Sequence, residues 1–177
     1  MMNAYTWATE FRALFVRCAE KHNSGSTDFD SWFDLNEVEF LKSIGCKPRE
    51  FFDFVDDHCN ADGDEPSAET ALLIAAVRRD YFLVVQKGVL STKVVAAGTL
   101  PPKPAEMDGI PWLPRIIAKA EAKLRGEMDP DTMLGCGGDR AFCSRHHLHP
   151  ADFLRLVWAA NGDKDRVLAF VKTGKFV

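Results

Sequence analysis

The residues GCGGDR, 135–140, place a thiol, a flexible backbone, a carboxylate and a guanidinium within six positions. Each type suits a particular task. Cys136 can act as a nucleophile where a cation or a helix N-terminus favours its thiolate. Asp139 can serve as a base or orient a neighbour. Arg140 offers a planar fork matched to a carboxylate or phosphate, while Gly137 and Gly138 let a ligand approach the main chain. Arg115 and Lys119 lie four residues apart, on one face of any helix, and two cations there can hold an anion. The functional reading is a small enzyme or ligand-binding protein for an anionic small molecule. In it Cys136 and Asp139 are catalytic, and Arg115, Lys119, Gly137, Gly138 and Arg140 bind the ligand. The alternative reading of the string is structural: a glycine turn, Asp139 capping a helix that starts near Arg140, and a small buried thiol. In that case Arg115 and Lys119 are solvated or pair with acids such as Asp53, Asp56 and Asp57.

Two other clusters invite metal chemistry. Cys136, Cys143, His146, His147 and His149 offer thiolate and imidazole ligands, but their spacing matches no zinc finger and contains no CxxC pair. A helix start rich in polar residues accounts for the histidines without a metal. HCNADGDEPSAE, 58–69, places Asn60, Asp62, Gly63 and Glu69 at calcium-loop positions, yet His58 stands where the first Asp belongs. An acidic turn is the better reading, and no metal is expected. Nucleophile-elbow, P-loop and dinucleotide fingerprints are missing, so the sequence calls for no cofactor.

The elements that must position these groups read as helices. Trp7, Phe11, Leu14, Phe15 and Cys18 recur every three or four residues and predict an amphipathic helix over 4–21. DLNEVEFLKS predicts a second over 34–43, capped by Asp34 or Asn36. Pro48 opens a third, as proline suits the first helical turn. SAETALLIAAVRRDYFLVVQ is apolar throughout its first half and predicts a buried central helix, with Arg78 or Arg79 reaching inward to an acid of FDFVDD. Residues 86–111, rich in Gly and Pro, read as a crossover that can hold a short strand through LSTKVVAA. Leu113, Ile116, Ile117, Ala120 and Leu124 form the inner stripe of a helix stopped at Gly126. Two more helices are predicted over 149–160 and 163–172.

The expected fold is all-α, with an N-terminal helical half (1–85), a crossover (86–111) and a C-terminal half (112–177). Aligning Phe40 with Phe142, an offset of 102 (142 − 40), also aligns Pro48 with Pro150, Phe51 with Phe153 and Val55 with Val157 without a gap. The halves read either as related, with a cleft between them as the natural site, or as two Pro-opened amphipathic helices whose shared grammar produces the matches.

The string GIPWLPRIIAKAEAKLRGEMDPDTMLGCGGDR, with FLKSIG, FFDFVDD and GDEPSAETALLIAAVRRDYF upstream, resembles an uncharacterised bacterial family, the domain-of-unknown-function family numbered five-zero-six-nine. The resemblance spans roughly residues 10 to 172. It implies a bacterial origin and no mechanism, and CSRHHLHP departs from the apolar segment expected after GGDR.

Composition narrows the classes further. A formal net charge of −4 lacks the basic footprint of nucleic-acid binding. No apolar run approaches the roughly 18 residues of a membrane span, and the N-terminus has no apolar signal core. A cytoplasmic protein with five free thiols is expected. The competing class is a non-catalytic helical interaction module, using Phe51, Phe52, Phe54 or Trp158 against a partner protein.

Overall fold

The apolar stripes find their partners in an all-α structure, a computed structural model that describes residues 6–26, 28–61 and 65–175. Among these, eight α-helices run in chain order: α1 (Trp7–Asn23), α2 (Leu35–Ser43), α3 (Pro48–Asn60), α4 (Ala68–Val84), α5 (Leu113–Arg125), α6 (Gly137–Arg145), α7 (Pro150–Ala160) and α8 (Lys164–Thr173). None is long and apolar enough to cross a membrane. Several starts follow local chemistry. Asp34 and Glu37 form a reciprocal capping box on α2, with both bonds at 2.9 Å. Ser67 caps α4 by accepting the Thr70 N–H, and Asp163 caps α8 through the amides of Asp165 and Arg166.

The crossover is mostly irregular. LSTKVVAA forms no strand of its own; Val95 makes a single bridge to Met128, its N–H donating to the Glu127 carbonyl. The small antiparallel pair lies later, with β1 (Glu106–Met107) on β2 (Ile110–Pro111). There the left-handed residues Asp108 and Gly109 make the tight turn.

Helix bounds repeat at the offset read from the sequence. The end of α1, both ends of α2 and the start of α3 recur 102 residues later in α5, α6 and α7. The α2–α3 turn closes with Ile44, Gly45 and Cys46 amides on Leu41, Lys42 and Leu41 carbonyls. The α6–α7 turn repeats these bonds from His146, His147 and Leu148 to Cys143, Ser144 and Cys143. Both turns use a left-handed residue, Gly45 (φ +68°) and His147 (φ +55°). Glycine is required at the first because any Cβ would lie 2.7 Å from Phe82 Cγ. Lys47 and His149, which precede the two prolines, have the same backbone angles, φ −82° and ψ 143°.

Packing follows the repeat: α1 lies on α3 as α5 lies on α7. The central helix α4 packs on α1 in its own half and on α5 and α7 in the other, so one continuous core joins the halves. Phe51, Phe52 and Phe54 are all buried in that core, the position their helical spacing on α3 favours.

Candidate functional site around the GCGGDR segment

Cys136, not Asp139, occupies the N-cap of α6, and the helix begins at Gly137. Cys136 makes no side-chain capping bond. Asp139 lies one turn inside, fully buried, and its Oδ1 accepts the Trp112 Nε1–H at 2.9 Å. Oδ2 accepts the Gly135 N–H at 3.0 Å and forms a short ion pair with Lys119. Where the sequence reading expects a catalytic group, the structure places a buried carboxylate with three donors at the α5–α6 junction.

The remaining expected residues separate into two groups. Lys119 faces inward, and its Nζ lies 3.3 Å from Cys136 Sγ as well as against Asp139, so it holds the segment instead of presenting charge to solvent. Gly138 is filled by Trp112; a Cβ there would sit 2.5 Å from the indole Cζ2. Arg115 donates to the Pro101 carbonyl at 2.7 Å and lies over the Trp112 ring, which ties the crossover to α5. Each of these three thus meets a protein partner where the sequence reading expects a ligand. Arg140 and Gly137 remain open. Arg140 Nη1 is fixed by Asp57 on α3 and by the Gly135 carbonyl, and Gly137 has only Arg140 Nη2 near the position of an added Cβ.

Arg140 lines a cleft of about 380 Å³ together with Glu65, Thr70, Ser144, Leu148, His149 and Pro150. Its walls come from the start of α4 and from α6 and its turn into α7, so it lies between the halves. His149 Nδ1 accepts the Ala151 N–H, which puts the proton of the neutral ring on Nε2, 3.4 Å from Thr70 Oγ1. Ser67 Oγ lies 3.2 Å from both Thr70 Oγ1 and Glu65 Oε1. Burial opposes ionisation of Glu65, but the bonds from Thr70 and Ser67 outweigh it and hold the carboxyl below its ordinary value. The cleft thus carries a guanidinium on one wall and a carboxylate on another.

Several partners differ from the sequence reading or went unread in it. Lys123 turns inward to Glu50 Oε2 at 3.2 Å and lies over the Phe54 ring. Its signal was available: Ile116, Lys119, Ala120, Lys123 and Leu124 share one helical stripe. Arg78 is buried, but it meets Gln86 Oε1 at 2.7 Å and the Phe82 ring, not an acid of FDFVDD. Arg79 lies over the Trp7 ring, beside Asp80. The FDFVDD acid that does pair across the halves is Asp57, with Arg140. Ser144 shares a face of α6 with Arg140, four residues on, whereas Thr70 joins them only through the packing of α4 on the second half.

Among the described residues, no three of His, Cys, Asp or Glu converge as metal ligands. Cys143 is buried, His146 packs on the Phe142 ring, and His149 caps α7. Asp62 and Gly63 of the calcium-like stretch lie outside the described residues. No family model, curated protein or solved structure matches this chain.

Proposed function

We propose that the protein binds a small molecule with an acidic group in the cleft between its halves, and that its role is binding and not catalysis. One observation carries this reading: a guanidinium already oriented by Asp57 and the Gly135 carbonyl lines a 380 Å³ cleft. A fork held in place loses little freedom when it meets a carboxylate or phosphate. Thr70, Ser144 and His149 add further hydrogen-bonding groups, while Glu65 suits a ligand that also carries an amine or hydroxyl. Cys136 does not line this cleft.

Titration of the protein with acetate, malonate and inorganic phosphate, followed by backbone amide shifts, tests the reading. Saturable shifts at Thr70, Ser144 and His149 at or below about 10 mM are expected. They should weaken about tenfold or more in Ser144→Trp, which blocks the cleft and leaves the Arg140–Asp57 pair in place. No shift there with any of the acids would overturn the proposal.

A second reading, an interaction module, draws on a different surface. Leu83, Val84, Val85, Val89, Leu90 and Val94 are 39 to 68% exposed along the end of α4 and the crossover. Such an apolar stretch favours a protein partner. A partner seated there needs nothing from the cleft, so Ser144→Trp would leave its binding intact.

A further inference from the structure

The repeat places a second groove where the C-terminal half has a filled one. Glu10, Ala13, Leu14, Arg17, Asn36, Glu37 and Phe40 line an open groove of about 340 Å³ between α1 and α2. At the offset of 102 their counterparts are Trp112, Arg115, Ile116, Lys119, Gly138, Asp139 and Phe142. The correspondence extends to chemistry: Arg17 pairs with Glu37 at 2.6 Å as Lys119 pairs with Asp139.

In the C-terminal half the Trp112 indole occupies this place. It packs against Gly138 and donates its ring N–H to the acid of the ion pair. In the N-terminal half the position of Trp112 is taken by Glu10, whose Oε1 accepts the Thr6 hydroxyl at 2.7 Å, and the position of Arg115 by Ala13, which has no long side chain. The same helix pair is thus left with an apolar floor of Leu14 and Phe40, carboxylate and amide acceptors at its edge, and no counterpart of the Trp112 ring.

We propose that the groove between α1 and α2 binds a planar aromatic heterocycle with a ring N–H, an indole-type small molecule, seated as Trp112 is seated in the other half. Leu14 and Phe40 take the ring faces and edges. Glu37, the counterpart of Asp139, accepts the N–H, with Glu10 beside it. Asn36 stands where the other half has Gly138, so the ring lies farther from α2 than the Trp112 indole does.

Amide-shift titration of the whole protein with free indole tests this. Saturable shifts at Ala13, Asn36 and Phe40 are expected, with Kd on the order of 1 mM for so small a probe. Ala13 is exposed on α1, so Ala13→Trp fills the groove without touching the core and should weaken binding at least tenfold. Asn36→Gly, which opens the floor as Gly138 does, should tighten it several-fold. Shifts that fail to saturate, that persist unchanged in Ala13→Trp, or that cyclohexanol reproduces at equal concentration would overturn the proposal. The site shares no lining residue with the cleft at Arg140, so each stands or falls alone.

Discussion

The two helical halves carry the same ion pair in opposite surroundings. Arg17 and Glu37 are 40 and 22% exposed at the side chain, whereas Lys119 and Asp139 are 4 and 0% exposed. On the first half the α2 start is secured by the Asp34–Glu37 capping box, and the pair lies in a solvated groove. On the second, Cys136 replaces the capping Asp, Gly138 replaces Asn36, and the Trp112 indole covers the pair. An exposed pair can be loosely held because water solvates whatever the partner does not. A covered pair must have its desolvated charge met by hydrogen bonds, and Asp139 has three donors for that purpose.

The largest expected difference between the halves is therefore in their cations. Lys119→Met strands a buried carboxylate and should cost about 3 to 5 kcal/mol in urea denaturation. Arg17→Met should cost no more than about 1 kcal/mol. Similar costs for the two would break the comparison. A smaller asymmetry is expected at the paired α2 and α6 positions. Gly138→Ala gains roughly 1 kcal/mol of helix propensity, but its Cβ displaces Trp112 from Asp139. A net loss of about 2 kcal/mol should follow. Asn36→Ala should stay within about 0.5 kcal/mol, since the groove beside it is open.

A further difference concerns α3, where Asp53 has Arg155 as its counterpart in α7. Burial pushes the Asp53 carboxyl up to about 6, against the opposing pull of Arg49 and Lys123. A carboxyl raised in the folded state adds stability below its unfolded value near 4, and that contribution disappears as pH rises through about 6. Asp53→Asn should remove this decline, about 2 kcal/mol between pH 4 and 7, in denaturation midpoints followed across pH. An unchanged slope in the variant would mean that the charged form of Asp53 is as well accommodated in the fold as in water.

Much of the scaffold was legible because it is written in local patterns. The apolar stripes of α1 and α5, the prolines that open α3 and α7, the Asp34 cap and the Gly126 stop each depend on residues within a turn or two of one another. The offset of 102 was visible for the same reason, since the matching helices share stripes and turns. The start of α6 was displaced because Cys, a weak capping residue, holds the N-cap while Asp139 is drawn inside by Trp112 and Lys119.

Composition and periodicity thus determined an all-α chain and marked GCGGDR as a junction of charge and glycine. Only tertiary packing decided how that charge is used. Whether Lys119 holds a ligand or a neighbouring carboxylate depends on which helix lies opposite. Whether Arg140 faces a cleft depends on α4 crossing to the second half and on Asp57 arriving from α3. These partners are separated by 20 and 83 residues along the chain, a distance over which hydrophobic burial, and no local preference, sets who meets whom.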